Sequence, residues 1–278
     1  MSDKAILFDA TRCIACRGCQ VSCKQWNETD EVIPTEENGV RSSNRGTYEN
    51  PPDVSPQTWL TVKFIEKAEG DDVRWLFGRR SCMHCTEAAC VEVCPSGALY
   101  HHEYGFVAYD KEKCTGCGYC SQYCPFNIPR LDAGRLTGVG KMDKCTLCTT
   151  PGLDRLSAGQ EPACVKTCPT NALVFGDRDE LLSRGRDKVD SLRAANPARP
   201  SATLYGENEL GGLHVLYVLE DLPEAYGLPG EPEFPATVTL QKQVLNPLAR
   251  IVWPLVAGGL ALNALIAWAR HRTQREAE

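Results

Sequence analysis

Cys82-Met-His-Cys85-Thr-Glu-Ala-Ala-Cys90-Val-Glu-Val-Cys94-Pro95 and, after a short hydrophobic segment, Cys114-Thr-Gly-Cys117-Gly-Tyr-Cys120-Ser-Gln-Tyr-Cys124-Pro125 decide how this chain is read. In the second run three thiols fall within seven residues, a fourth follows one helical turn later, and a proline closes the motif. That is the spacing that holds cubane iron-sulfur clusters. A tight loop places three sulfurs on three corners of one cube, and the next turn carries the fourth sulfur to a neighbouring cluster. The first run is the same pattern with a longer loop. Cys82, Cys85, Cys90 and Cys124 are therefore expected on one cluster, and Cys114, Cys117, Cys120 and Cys94 on another.

Two further quartets flank this unit. Cys13, Cys16, Cys19 and Cys23 keep the tight spacing, with Lys24 where a proline is expected. Cys145 and Cys148 are separated by a long insertion from Cys164 and Cys168-Pro169. Internal repeats decide how the quartets pair. Glu87-Ala-Ala-Cys90-Val-Glu-Val-Cys94-Pro95-Ser-Gly-Ala98-Leu99 is nearly repeated by Glu161-Pro-Ala-Cys164-Val-Lys-Thr-Cys168-Pro169-Thr-Asn-Ala172-Leu173. Likewise Phe8-Asp9 precedes Cys13 as Tyr109-Asp110 precedes Cys114. The second and fourth quartets are one kind of half, and the first and third are the other. A two-cluster unit needs one of each, so the first and fourth are left to pair around the central unit. On this reading Cys13, Cys16, Cys19 and Cys168 hold a third cluster, and Cys145, Cys148, Cys164 and Cys23 a fourth.

The expected fold is α+β: two ferredoxin-like two-cluster modules, one inserted within the other, plus a C-terminal transmembrane helix. Residues 1–80 and 142–178 form the split module and 81–141 the inserted one. An arm follows over 179–247, a span over 248–270 and a tail over 271–278. All sixteen cysteines are used, in the chemistry of four 4Fe-4S clusters. Zinc is the alternative, since four cysteines also close a tetrahedral site, but zinc ligands come as separated pairs rather than three thiols in seven residues.

Outside the quartets the chain reads more plainly. Ala5–Phe8 is a short strand, and Asn27–Gln57 a polar excursion. Thr58–Glu66 and Val73–Phe77 are strands joined at Glu69-Gly70-Asp71-Asp72. Ala98–Tyr100 and Phe106–Tyr109 make a hairpin. Asp179–Ala194 is a surface helix with Leu181, Leu182, Val189 and Leu192 on its apolar face, ended by Asn196-Pro197. His214–Leu219 is a buried strand, and Pro223–Pro235 is extended.

Ile251 to Ala269 contains no charged side chain. At about 1.5 Å per residue it approaches the ~30 Å hydrocarbon core of a bilayer, and Trp253, Trp268, Arg250 and Arg270 sit near its ends as anchors do. Arg270, Arg272 and Arg275 beyond it, against Lys242 and Arg250 before it, put the tail in the cytoplasm and the clusters on the opposite side. The segment from Met1 to Asp9 has neither a basic region leading into an apolar one nor a cleavage site, so export would depend on a partner.

A formal net charge of −6 gives no support for nucleic-acid binding. No nucleophile elbow, phosphate loop or dinucleotide fingerprint is present. His84 lies inside the Cys82–Cys85 loop, where solvent contact or packing is expected over a cluster-tuning hydrogen bond, and His101 and His102 in the hairpin are expected to face water. No histidine in the apolar segment could ligate a haem, and His271 lies past its end. Four clusters without a catalytic constellation carry electrons; they do not make bonds.

Ser81-Cys-Met-His-Cys85, Gly116-Cys-Gly-Tyr-Cys120, Cys124-Pro-Phe-Asn-Ile-Pro-Arg130 and Gly159-Gln-Glu-Pro-Ala-Cys-Val-Lys-Thr-Cys-Pro169 resemble the four-cluster beta subunit of membrane-bound formate dehydrogenases. Gly211-Gly-Leu-His-Val215 and the terminal apolar segment are similar to it too. The resemblance implies a heterotrimer. An alpha subunit with a molybdenum or tungsten bis-pterin cofactor would oxidise formate, and a haem b gamma subunit would reduce quinone. It also implies placement at the bacterial inner membrane, single-pass, with export directed by a twin-arginine signal on the alpha subunit. The quartets alone are shared with hydrogenases and other molybdopterin oxidoreductases, which leaves the same kind of wire in another enzyme as the near rival. A zinc-stabilised membrane scaffold is the rival of another class.

Overall fold

The structure is a computed structural model that describes residues 2–29, 35–37, 40–42, 48–131, 140–196, 201–240 and 246–275. The chain forms two compact units, Met1–Phe234 and Pro235–Glu278. The first opens with β1 (Lys4–Asp9), α1 (Gly18–Trp26) and the small hairpin of β2 (Thr35–Glu37) and β3 (Val40–Ser42). The long hairpin β4 (Thr61–Glu69) and β5 (Asp72–Arg80), α2 (Ala89–Glu92), the short hairpin β6 (Leu99–His101) and β7 (Val107–Tyr109), and α3 (Tyr119–Gln122) follow. After the pair β8 (Arg130–Leu131) and β9 (Met142–Asp143) come α4 (Ala163–Lys166), β10 (Leu173–Asp177), α5 (Arg178–Ala195), β11 (Thr203–Tyr205) and β12 (Val215–Leu219).

A four-stranded sheet in the order β10-β1-β12-β11 is the centre of this unit. β1 runs parallel to β12 and antiparallel to β10, with Ile6 opposite Val215 on one side and Phe175 on the other. Both central strands are continuous apolar runs, as strands covered on both faces are. Ile6, Phe8, Val215, Tyr217 and Leu219 point into the larger core beside the cysteines. Ala5, Leu7, Leu216 and Val218 meet Leu181, Leu182 and Val189 of α5 on the other face. Each such Leu or Val side chain contributes about 1.5–3 kcal/mol on burial. α5 comes close because Gly185 faces β11: a Cβ there would lie 2.7 Å from Leu204 Cδ1.

The two sequence halves meet twice, in matching ways. Asp9 Oδ1 accepts from Thr11 N at 3.0 Å and caps a 3-10 turn that leads to Cys13; Asp110 Oδ1 accepts from Glu112 N at 3.0 Å and caps the turn that leads to Cys114. Asp9 N donates to Ala172 O, and Asp110 N donates to Ala98 O, both at 2.8 Å. Helix α1 packs on α4, and α2 packs on α3.

Several limits differ from the expectations. Ser55 and Thr58 close a turn on each other's backbone, at 2.9 and 3.0 Å, so β4 starts at Thr61. Pro223–Tyr226 is not extended but forms a 3-10 turn that buries Tyr226, since proline opens such a turn without losing a hydrogen bond. Much of the polar excursion, Pro197 and the end of the tail, 276–278, lie outside the described residues.

The second unit carries α6 (Ala236–Leu240) and α7 (Asn246–Arg275). Helix α7 continues through Pro254, and the Asn263 amide donates to Gly259 O at 3.1 Å, so this polar group is satisfied along its own helix. Val252, Trp253, Leu255, Leu260, Leu265 and Trp268 are exposed. Among the described residues no helix is long and apolar enough to cross a membrane. The side chains on which the expected limits of the span rest, Arg250, Ile251, Ala269 and Arg270, lie outside the described residues.

Candidate iron-sulfur centres

Each thiol is presented by a short loop and the helix behind it. In the first quartet the loop needs left-handed backbone at Ala15 (φ 53) and Arg17 (φ 60); in the third the equivalent places are Gly116 (φ 72) and Gly118 (φ 82). The third loop uses glycine, which takes this conformation without a side-chain clash, and the first accepts the strain. Helices α1 and α3 then carry Cys19 and Cys120, while α2 and α4 carry Cys90 and Cys164.

The structure gathers the sixteen cysteines into four groups. Cys13, Cys16, Cys19 and Cys168 line one small cavity. Cys23 is buried among Cys145, Cys164 and Cys148: burial first, then those neighbouring charges, hold its thiol well above the ordinary range. Cys85 is raised by burial and then by Cys82, Cys124 and Cys90. Burial, then Cys114, Cys117 and Cys94, push Cys120 up to about 12. Cys114 goes the other way. Burial would raise it, but the Met142 N–H, which donates to its sulfur at 3.5 Å, leads the groups that bring it below the usual value.

The groups also act on one another. Cys19 is raised to about 12 by burial and then by Cys164 of another group. Cys82 feels Cys145, and Cys90 feels Cys120. Each of the Cys13, Cys145, Cys82 and Cys114 groups is thus within electrostatic reach of another. Cys16 and Cys117 are the exposed members.

Sixteen thiols gathered in fours, most of them made harder to ionise by burial and by each other, suit a centre whose metal charge deprotonates its ligands outright. Among the described residues no three His, Cys, Asp or Glu side chains converge closely enough to share a single ion. A cubane, which takes one thiolate at each of four irons, asks for no such convergence. A further sign of fit is Arg79. Its side chain is buried, its three guanidinium nitrogens make no well-formed hydrogen bond among the described residues, and it lies against the Cys164 thiol, a costly state for a cation unless anionic acceptors face it.

Comparison with known proteins adds the family. A model described as a 4Fe-4S dicluster domain matches residues 73–178, and a second of the same description matches 12–98. The formate dehydrogenase iron-sulfur subunit of Haemophilus influenzae is 42% identical, over 93% of this chain and 77% of its own length. The nitrate-inducible formate dehydrogenase iron-sulfur subunit of Escherichia coli K12 is also 42% identical, over 94% of this chain and 84% of its own. The formate dehydrogenase-O iron-sulfur subunit of the same strain is 39% identical, over 89% and 78%. The chain belongs to the formate dehydrogenase iron-sulfur subunits. It is an electron-transfer subunit with two dicluster domains and four 4Fe-4S clusters, and it works in a complex with a catalytic subunit.

Three residues that matter in this iron-sulfur subunit are not singled out by spacing. Arg79 and Lys144 are buried cations beside the thiols, and Lys144 Nζ donates to Val107 O and Cys145 O, both at 2.9 Å. The signal for them is slight: a basic pair, Arg79-Arg80, just before the second quartet, and a lysine directly before Cys145. In β5 the pair alternates, so Arg80 turns out to Asp53 while Arg79 turns in. His84 is the third. It has no solvent contact; its ring packs edge-on to Phe106 at 5.7 Å, and Nδ1 lies 2.9 Å from Val107 O. Burial, then the cation of Lys144, hold it well below the ordinary histidine value, so it is neutral. His102, expected to face water, is half-buried and stacks on Phe106 at 4.6 Å, whereas His101 is exposed.

Proposed function

We propose that this subunit relays electrons from a formate-oxidising subunit with a molybdenum or tungsten bis-pterin cofactor to a haem b, quinone-reducing subunit in the membrane. The observation that supports this reading is that the groups act on one another in turn, the charge of Cys164 on Cys19, of Cys145 on Cys82, and of Cys120 on Cys90. The ligand sets we assign are Cys13, Cys16, Cys19 and Cys168; Cys145, Cys148, Cys164 and Cys23; Cys82, Cys85, Cys90 and Cys124; and Cys114, Cys117, Cys120 and Cys94. When bound, the clusters supply one-electron chemistry. The protein supplies close spacing, exclusion of water and the charges that set each potential.

The modules are nested in this reading, with 1–80 and 142–178 wrapped around 81–141. The pairing of α1 with α4 and of β1 with β10 supports the split module, and α2 with α3 and β6 with β7 support the inserted one. Helix α7 anchors the subunit in the inner membrane by a single pass, with the cluster domain on the periplasmic side and the C-terminus in the cytoplasm. Its exposed apolar side chains from Val252 to Trp268 and the arginines beyond them support this.

Extraction of the membranes in mild detergent tests the proposal. The expected result is co-purification of a large molybdopterin subunit and a haem b subunit, with formate-dependent dye reduction. A partner that reduces dye with hydrogen but not with formate contradicts it.

A further inference from the structure

Arg79 closes the inner face of β5 and is 3% exposed. Nε, Nη1 and Nη2 are all buried and make no well-formed hydrogen bond among the described residues, but the guanidinium lies against the Cys164 thiol and the Tyr217 hydroxyl. Among the described residues no carboxylate forms an ion pair with it, and the ionisable groups that act on it most strongly are Tyr217, Cys164, Cys145 and Cys19. Those cysteines belong to two different groups. Arg79 also lines the cavity shared by Cys13, Cys16, Cys19 and Cys168, and its charge acts on Cys23 as well. The neighbouring Arg80 has its carboxylate, Asp53, so the tandem pair contains one surface ion pair and one uncompensated interior cation.

A guanidinium held this way needs anionic acceptors on more than one side, and its fork of donors can serve two at once. We propose that Arg79 is a shared tuning residue, whose fixed cation and N–H donors face the clusters of the Cys13 group and the Cys145 group together and raise both reduction potentials relative to the other two. The inference rests on the ligand sets assigned above. Adding one electron to either cluster makes it more anionic, and a buried cation stabilises that reduced form. No proton or further reactant is involved. Because arginine keeps its charge at every working pH, the effect is constant, unlike that of a lysine or histidine. Arg79 does not bind formate or quinone, and it acts through the clusters it faces.

The test is redox potentiometry on the anaerobically purified, detergent-solubilised complex, followed by electron paramagnetic resonance, with iron measured in parallel. Arg79→Gln is expected to keep about sixteen irons per chain. At a fixed poise it should lower the reduced-to-oxidised ratio of two clusters by about tenfold, equivalent to about 59 mV for a one-electron couple, and leave the other two unmoved. Arg79→Lys should restore most of the shift. Full iron content with all four potentials unchanged, or all four shifted alike, overturns the role of Arg79 and leaves the ligand assignment standing. An iron-poor wild-type complex sinks the assignment itself. If Arg79→Gln fails to load iron, Arg79→Lys decides: normal loading with the two potentials near wild type upholds the charge effect, and failure to load overturns it in favour of packing.

Discussion

Asp9 donates its backbone N–H to the Ala172 carbonyl at 2.8 Å, although the residues lie near opposite ends of the cluster-bearing sequence. The same bond joins Asp110 to Ala98, which are close in sequence. In the nested reading proposed above, one module is closed by a local hairpin and the other by a long return of the chain, which brings α1 onto α4.

Cys23→Ser should therefore change a distant centre. Cys23 is buried among Cys145, Cys148 and Cys164. The expected outcome is a changed Mössbauer and paramagnetic signature for the cluster assigned to the fourth quartet, with that of Cys13, Cys16, Cys19 and Cys168 intact. A change confined to the latter contradicts the pairing.

The interior cation next to the second quartet gives a stability prediction. Lys144→Met removes two hydrogen bonds; Val107 O keeps its contact with His84 Nδ1, while Cys145 O loses its Nζ donor, at about 1–3 kcal/mol. Thermal unfolding should shift down accordingly. The potential of the cluster assigned to Cys82, Cys85, Cys90 and Cys124 should become more negative, because the charge of Lys144 acts on Cys82 and Cys90.

A pH dependence arises away from the clusters, where Asp221 joins β4 and β5 to the end of β12. Burial alone would raise its carboxyl, but the bonds from Lys67, the Leu222 N–H and Arg74 outweigh burial and hold it below the usual range. A carboxyl depressed in the folded state stabilises the fold fully above its unfolded value of about 3.9, and that contribution disappears as pH falls through the folded value. Asp221→Asn should cost about 2 kcal/mol at neutral pH, less than a fully buried pair because Lys67 is partly exposed. The difference from wild type should shrink as pH falls below the unfolded value and vanish once the folded carboxyl is protonated, as denaturant titrations would read.

How much of this was legible in the sequence depends on the range of the contact. The loop thiols are set by local spacing, and the structure places them in groups on short loops backed by helices. The apolar face of α5 is read correctly from Leu181, Leu182 and Val189, because a helical period needs no knowledge of the partner surface. The parallel pairing of β1 with β12 has no local signal, since Ile6 and Val215 are brought together only by the whole chain. Arg79 was missed for a related reason: at the end of an amphipathic strand a basic pair reads as solvated surface, and only the packed core reveals which member turns inward.

Helix α7 carries its own prediction. Its exposed Leu255, Leu260 and Leu265 should seat in lipid, so the full chain should resist alkaline carbonate extraction from membranes. Leu260→Arg, mid-helix, should weaken retention without changing iron content. Release of the wild-type chain by carbonate alone contradicts the anchor.

Iron and acid-labile sulfide, counted per chain in the complex purified without oxygen, test the whole account most directly. About sixteen of each, with four reducible paramagnetic centres, is the expected result. A colourless chain with about four zinc ions and no reducible centre contradicts it.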